Sequence, residues 1–564
     1  MKLALAQINP TIGDFTGNRA KILEFTAQAK AAGAELVVFP ELAVCGYPPG
    51  DFLEKDVFLA RASEVTVEIA SQATSDESIA VLVGTVMPAP TPAGKHARNV
   101  AALLAHGRIA FLQQKKLLPF YDIFDEQRYF EPAETQTLCT LNEKQLAITI
   151  CEDAWNDKTF WPRRFYSIDP VAELMTHWNS AGKHADDERI ILNISSSPFW
   201  RCKRQLRMEM LSALARRHNA WVVMVNQVGG NDNLIFDGTS IAIRPDGSIA
   251  ARCKSFAEDL VVVDTKATGN SVAVPALPLE SHADEISATW QALVLGTRDY
   301  LHKCGFTRAL IGLSGGIDSA LVAAIAVEAL GAENVIGIGM PSQFSSQGSI
   351  EDARALAENL SIEFDLICIE NIFDAHMQAL QPFFAGTPFG LAEENLQPRI
   401  RGAVLMALSN KHNALVLTTG NKSEMSTGYC TLYGDMVGAL AVIGDVMKTT
   451  VYELGRYANR EREIIPHNTL TKPPSAELRP NQKDTDSLPP YEVLDPILEA
   501  YVERYETAEE IARQQKLDPA LVRQVIQLVE RSEYKRQQAA PVLKVTRKSF
   551  GSGRRFPIAF KVQV

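Results

Sequence analysis

Residues 309–326 read ALIGLSGGIDSALVAAIA: an apolar run, a turn of small residues, then a second apolar run. The first run predicts a strand over Ala309–Leu313 and the last a helix over Ser319–Leu330, with the turn between them. The turn has the make-up of an anion loop. Gly315 and Gly316 let the backbone approach a ligand closely. Ser314 and Ser319 offer hydroxyls, and amides at the helix start point their positive ends at negative charge. The GxxxxGK[ST] pattern is absent and no lysine lies in the turn, so this is not the common nucleoside triphosphatase loop. Asp318 adds negative charge where an anion would sit, which makes sense if Mg2+ lies between its carboxylate and phosphates. The plain alternative is a Gly-rich turn whose Asp and Ser only cap the helix.

Downstream the same alternation continues. Strands are predicted at Val335–Gly339, Glu363–Ile369 and Ala414–Thr418, and helices at Ser346–Leu360 and Arg401–His412. This predicts a mostly parallel, Rossmann-like sheet within a domain spanning 285–564. Upstream, residues 266–284 are rich in small residues and Pro and lack helical periodicity, which predicts a linker. Residues 1–265 form a second α/β domain. Its strands are predicted at Lys2–Gln7, Leu36–Phe39, Ala80–Val86, Asn99–Leu104, Leu146–Ile150, Ile190–Ile194, Trp221–Val225, Thr239–Ile243 and Leu260–Val263. Its helices include Asn18–Ala32, Val57–Ala73 and Lys203–Asn219.

A chain of 564 residues suits several domains. Hydrophobic residues at 46% and charged residues at 22% exclude wholesale disorder or coiled coil. The 56 basic and 67 acidic residues give a net charge of −11, which argues against a nucleic-acid coat. No apolar run is long enough to span a bilayer, and the start lacks the features of a signal peptide. The eight cysteines are scattered, with no CxxC pair, so a reducing cytoplasm is the simplest home.

Three segments carry the chemistry of the first half: FPELAVCGYPPGD (39–51), QQKKLLPFYDIFDE (113–126) and ITICEDAW (148–155). Each places a catalytic type of side chain at or just after a β-run. A thiol with an ordinary pKa near 8.5 needs a base, and Glu41 can supply it. Lys115 can stabilise both a thiolate and an oxyanion. Cys151 can attack a carboxamide carbon and form a thioester. Singly, each has a bland reading: a core cysteine, a solvated lysine pair, a turn. Together and in this order they resemble the nitrilase superfamily, as do NISSSPFW (193–200) and the opening KLALAQINPTIGD. The resemblance implies an α-β-β-α sandwich over 1–265 with Glu41, Lys115 and Cys151 as its triad and Glu126 beside it. It also implies a glutamine pocket at Tyr121, Ser197 and Lys203.

SGGIDS, set between a strand and a helix, resembles the pyrophosphate loop of the N-type ATP pyrophosphatases. Three further segments resemble NAD synthetases: GMPSQFSSQGSIEDA (339–353), ENLQPRIRGAVLMALSN (394–410) and 418–454, which begins TTGNKSEMSTGYC. The whole chain thus resembles the glutamine-dependent NAD synthetase family. That resemblance implies three substrates: glutamine, ATP and deamido-NAD (nicotinic acid adenine dinucleotide). ATP is expected at Gly312, Leu313, Ser314, Gly315, Gly316, Ile317, Asp318, Ser319 and Thr419. Deamido-NAD is expected at Asn395, Arg399, Glu424, Asp435, Lys448 and Lys535, with Arg401 in the same segment. Mg2+ is expected at Asp318 and Glu424. No nucleic acid or membrane partner is implied, and the family's members are usually homo-oligomers, dimers or higher.

Two segments remain. After Glu533 the chain has no acidic residue but carries Lys535, Arg536, Lys544, Arg547, Lys548, Arg554, Arg555 and Lys561, which suggests a lid over phosphates. The Pro-rich stretch 471–490 suggests a loop ordered by substrate. Ammonia is mostly ammonium at neutral pH, so internal passage between the two sites is expected. Two competing readings are an amidase whose second half only senses nucleotide, and an SGGIDS enzyme acting on tRNA or GMP precursors. The acidic charge balance and the nitrilase-like ammonia source disfavour the latter.

Overall fold

The computed structural model describes residues 1–90, 93–180, 188–266, 281–480 and 482–561. The chain divides into two compact units, Met1–Ser281 and His282–Val564. Residues 267–280 of the predicted linker lie outside the described residues. Its last part, from His282, is already helix: His282–Lys303 starts there, with Asp284 and Glu285 in its first turn complementing the positive N-terminal end.

The first unit contains β1 (Lys2–Gln7), β2 (Leu36–Val38), β3 (Ala80–Pro88), β4 (Ala97–Ala105), β5 (Arg108–Gln114), β6 (Cys139–Leu141), β7 (Lys144–Ile150), β8 (Ile190–Ser195), β9 (Trp221–Asn226), β10 (Val228–Asn231), β11 (Leu234–Asp237), β12 (Ile241–Ile243), β13 (Ile249–Arg252) and β14 (Asp259–Asp264). One six-stranded sheet has the order β14-β1-β2-β3-β4-β5 and the other β13-β12-β9-β8-β7-β6, while β10 and β11 form a separate ribbon. Side chains alternate across each strand, so each sheet has two apolar faces to bury. Leu3, Leu5, Leu82 and Leu103 of the first sheet pack with Ile148, Ile150, Leu192 and Val223 of the second in a shared core. The opposite face of the first sheet (Ala4, Val37, Val81) is covered by Ile22 of helix Phe15–Ala31 and by Val65 and Ile69 of helix Asp56–Ala73. Helices Pro170–Ser180 and Lys203–His218 cover the outer face of the second sheet through Leu174, Leu211 and Leu214. This is the expected α-β-β-α sandwich.

In the second unit, β15 (Ala309–Gly312), β16 (Val335–Gly339), β17 (Glu363–Leu366), β18 (Leu415–Thr418) and β19 (Leu440–Ala441) form a five-stranded sheet of order β17-β16-β15-β18-β19. Every pairing in it is parallel. The order reverses at β15, and such a switch point opens a crevice at the strand ends. Helix Ile317–Leu330 leaves that crevice directly from the SGG turn. Helix Leu391–His412 begins upstream of Pro398 rather than at Arg401. The Gly390 N–H donates to the Glu393 carboxylate at 2.8 Å, and Gln397, Pro398 and Ile400 are buried, so capping and packing outweigh the proline. A C-terminal cluster of helices Tyr491–Leu498, Ala508–Gln515 and Pro519–Arg531 has its own core around Leu494, Ile497, Ile511 and Ile526. Among the described residues, no helix is long and apolar enough to cross a membrane.

Candidate active sites

In the first unit, Cys151 follows the last residue of β7 and opens the short turn Cys151–Ala154. Its φ of 42° places a non-glycine residue in the left-handed region, a strain that persists only when the surroundings enforce it. Lys115 directly follows β5, and Glu41 lies just past β2. Both are fully buried. The Lys115 ammonium donates to Glu41 at 2.7 Å and to Glu126 at 2.9 Å. Glu41 also accepts from Asn99 Nδ2 at 2.7 Å and from the Ser196 N–H at 3.0 Å, so its carboxylate is held from several sides. The Tyr47 hydroxyl donates to Glu126 at 2.8 Å.

Burial works against the Lys115 charge, but Glu126 and Glu41 outweigh it and hold the ammonium well above the usual lysine range. Burial, followed by the charge of Glu41, pushes the Cys151 thiol upward, with Lys115 opposing. Glu126 is pushed up to about 7, first by burial and also by Glu41, against the pull of Lys115. The resting site is therefore a neutral thiol beside an ammonium clamped between carboxylates. Such a site can accept the thiol proton and stabilise the negative sulfur or oxyanion.

The three residues expected to hold glutamine lie on segments next to this site. The Tyr121 hydroxyl donates to both oxygens of Glu152 at 2.9 Å, and its ring stacks on Phe165 at 4.6 Å. Ser197 donates its N–H to Asn226 Oδ1 at 2.8 Å. Lys203 donates to the Pro198 carbonyl at 2.7 Å and lies over the Trp155 ring. Glu152 is raised by burial, against the opposing pulls of Tyr121, Lys115 and Lys203. Asn99 and Ser196 lie in stretches the sequence marks as family-like, without a role assigned there; Tyr47 and Glu152 were not singled out as contributors. The signal for Glu152 was its place directly after Cys151.

In the second unit a cavity of about 330 Å³ opens at the C-terminal ends of β15, β16 and β18. Of the residues expected there, Gly312, Leu313, Ser314, Gly316, Ile317, Asp318, Ser319, Thr419, Glu424, Asp435 and Lys448 line it. Gly315 does not, but the turn depends on it. Its φ is +76°, and a Cβ there would lie 2.2 Å from the Ser349 carbonyl oxygen. The Lys448 ammonium pairs with Asp318 and lies 3.6 Å from Glu424. Asn421 Nδ2 donates to the other Asp318 oxygen at 2.9 Å. Burial, then the Asp318 charge, pushes Glu424 up to about 8. Two carboxyl side chains, Glu424 shifted toward its protonated form, thus converge beside a Gly-rich anion loop. Among the described residues no group of three or more His, Cys, Asp or Glu side chains could hold a metal ion. Asp318 and Glu424 alone, with the Lys448 ammonium beside both, offer two oxygen-bearing side chains, which suits a hard cation only where phosphates and water supply its other oxygens.

Asn395, Arg399 and Lys535 do not line the cavity. Asn395 accepts from the Thr431 hydroxyl at 2.9 Å, and the exposed Arg399 donates to the Leu432 carbonyl at 3.2 Å. Lys535 donates to the carbonyls of Gly428 and Cys430 at 2.7 Å each. All three brace the 428–435 segment, whose Tyr429, Cys430, Gly434 and Asp435 do face the cavity. Arg401 lines the cavity, donates to the Met340 carbonyl at 3.0 Å and is lowered to about 10 by burial. Burial pushes Asp435 up to about 6.

The expected basic lid is corrected at three positions. Arg554 pairs with Glu533 at 2.6 Å and Glu530 at 3.3 Å, Arg536 pairs with Glu533 at 2.9 Å, and the Lys544 ammonium donates to the Thr546 and Arg547 carbonyls. These charges are buried, and a buried charge needs partners of its own. Ala539 and Ala540 are what this region contributes to the cavity wall. From the Pro-rich stretch, Lys472, Pro473, Pro474, Glu477 and Asp484 line it. That stretch is tied down by Lys472 to Asp352 at 2.8 Å and by Glu477, which accepts from the Ser346 and Ser349 hydroxyls at 2.9 and 2.8 Å.

A buried Glu–Lys–Cys site in a double-sheet sandwich, followed by a Gly-rich crevice in a parallel sheet, defines a two-part class: a carbon–nitrogen hydrolase unit joined to an NAD synthase unit. The Carbon-nitrogen hydrolase family matches residues 2–162 and 178–271, and the NAD synthase family matches 289–539. Along its whole length the chain is similar to glutamine-dependent NAD(+) synthetases. It is 50% identical to the one from Synechocystis sp., covering 99% of this chain and 98% of the relative, and 42% identical to that of Thermotoga maritima with the same coverage. It is also similar to the solved structure of the Acinetobacter baumannii glutamine-dependent NAD+ synthetase in complex with ADP, with a TM-score of 0.75 and 39% identity over 99% of this chain and 98% of that one. The chain belongs to the glutamine-dependent NAD(+) synthetase family.

Proposed function

We propose that the protein makes NAD+ from deamido-NAD, ATP and glutamine, releasing AMP, pyrophosphate and glutamate. The observation that carries this reading is the presence of both sites on one chain: a buried thiol beside an ammonium held by two carboxylates, and a Gly-rich crevice facing two carboxylates. In the first, Glu41 takes the Cys151 proton as the sulfur attacks the glutamine amide carbon. Lys115 stabilises the oxyanion, ammonia leaves, and water cleaves the thioester to give glutamate. Tyr121, Ser197 and Lys203 hold the glutamine. In the second, the nicotinate carboxylate attacks the α-phosphate of ATP and pyrophosphate leaves. Ammonia then displaces AMP from the acyl-adenylate. Adenylation is chemically necessary because a free carboxylate is a poor electrophile, and AMP is a far better leaving group than oxide.

Residues Gly312–Ser319 and Thr419 cradle ATP, with loop and helix amides facing its phosphates. Glu424, Asp435 and Lys448 face deamido-NAD, while Asn395, Arg399 and Lys535 act on it through the segment they brace. Asp318 and Glu424 would hold Mg2+, which neutralises phosphate charge when bound. The dispersed cysteines, of which Cys45, Cys139, Cys151, Cys253, Cys368 and Cys430 are free thiols, suit a reducing cytoplasm. We also propose that the chain works as a homo-oligomer.

The decisive experiment compares glutamine with ammonium chloride as nitrogen donor, using deamido-NAD and MgATP. Cys151→Ala abolishes the glutamine-driven reaction and leaves the ammonium-driven one intact. If ammonium does not sustain that variant, the assignment of roles is wrong. AMP and pyrophosphate form only when deamido-NAD is present; ATP left uncleaved would favour a nucleotide sensor instead.

A further inference from the structure

The Glu–Lys–Cys site is assembled from two different sheets. Lys115 leaves β5, at the edge of the first sheet, and Cys151 leaves β7 in the second. No backbone ladder joins β5 to β7, so side chains must set the distance between the ammonium and the sulfur. Glu41 makes one such link, reaching Lys115 and the Ser196 N–H. A second link is made by Asp153, a residue given no role above.

Asp153 is 1% exposed. Its Oδ1 accepts the N–H groups of Leu117 at 2.8 Å and Lys116 at 3.1 Å, immediately after Lys115. Its Oδ2 accepts the N–H of Ile150, immediately before Cys151, at 3.1 Å, and Gln136 Nε2 at 3.1 Å. All four donors are neutral. We propose that Asp153 is a positioning residue whose carboxylate clamps the Cys151 corner to the Lys115 strand end across the gap between the sheets. A carboxylate suits this place because each oxygen receives two donors, which no neutral side chain of this size can match. Burial pushes Asp153 up to about 6, so it stays ionised at neutral pH and keeps all four acceptor positions. Without the clamp the ammonium drifts from the sulfur, and small misplacements cost large factors in rate.

The inference rests on the amidohydrolase reading of this unit and is tested in the full-length protein beside Cys151→Ala. Three quantities are read in Asp153→Asn and Asp153→Ala: glutamine-driven kcat and KM, ammonium-driven kcat, and the pH midpoint of Cys151 alkylation by iodoacetamide, itself a small primary amide. Asp153→Ala lowers glutamine-driven kcat about 100-fold and Asp153→Asn about 10-fold, with KM within about two-fold. The ammonium-driven reaction is unchanged, and the alkylation midpoint moves up. The direction of that shift is diagnostic, because removing a nearby negative charge would by itself move the midpoint down. A glutamine-driven kcat within about two-fold of the parent, or a midpoint that stays or falls, overturns the clamp. If thermal melting shows that Asp153→Ala does not fold, the nearly isosteric Asp153→Asn decides by the same readings. If Cys151→Ala still uses glutamine, it is the reading of the unit that fails, not the clamp alone.

Discussion

Glu126 shows most directly what burial does to a single group in this protein. It shares one ammonium with Glu41, and its carboxyl is pushed up to about 7. Its folded-state pKa therefore lies above its ordinary value, and folding favours the protonated form. The stabilisation this gives is fully present at low pH and is lost as pH rises through about 7. Glu126→Gln, neutral at every pH, should flatten the pH dependence of stability of the first unit. The measurement is the difference in Tm between about pH 6 and about pH 8, where about 1 kcal/mol corresponds to roughly 2–4 °C in a domain of this size. A variant whose Tm falls with pH as steeply as the parent's would contradict the assignment. At this scale the sequence was most legible where a β-run meets a reactive side chain, as at Glu41, Lys115 and Cys151. Asn99, Tyr47 and Asp153 were not legible in the same way. Their partners come from other strands, and no local pattern says which strands will meet. Arg399 and Lys535 show the same limit from the other side, since motif position brought them near the cavity but not into its wall.

Among the elements, the SGG turn between β15 and helix Ile317–Leu330 is the most tightly specified. A left-handed φ and the Ser349 carbonyl leave no room for a side chain at position 315. Gly315→Ala should weaken ATP binding at least about 10-fold, given a cost of at least 1–2 kcal/mol for a non-glycine residue in that conformation. Glutamine hydrolysis in the first unit should stay intact. Equilibrium binding of a nonhydrolysable ATP analogue checks the first statement, and an unchanged affinity would mean the turn does not cradle the phosphates. Long buried strands such as β1, β8 and β9 were legible because their apolar runs are continuous. The hairpin strand β5 and the short strands β6, β10, β11 and β13 were not. The solvent-facing alternation of β5 resembles a loop, and runs of three or four residues carry too little pattern. Helix Leu391–His412 was legible only in its second half, because Pro398 argues locally for a break that packing overrides.

For the whole molecule, the chemistry of one unit consumes what the other releases. Ammonia set free into water is mostly protonated at neutral pH, which leaves only a small part of it as a nucleophile. Glutamine labelled with 15N at its amide, supplied with an excess of unlabelled ammonium at neutral pH, should therefore yield NAD+ labelled mainly from glutamine. Mass spectrometry of the product tests this, and label diluted to the composition of the bulk pool would exclude guided transfer. The two-part plan was suggested by β/α alternation on either side of an aperiodic, Pro-rich stretch; the structure divides at Ser281/His282, where the end of that stretch is already helix. The sheet orders were not legible, because local pattern does not say which strands pair: Ala309 pairs with Leu415, and Lys2 with Asp264 at the other end of its unit. One such pairing has a consequence for how the protein is made. The strand Lys2–Gln7 pairs along its whole length with Asp259–Asp264, which forms the outer edge of that sheet. During synthesis on the ribosome this apolar early strand must wait, with one side unsatisfied, until more than 250 further residues have emerged. In that interval the open edge of Lys2–Gln7 is a template on which another chain can pair.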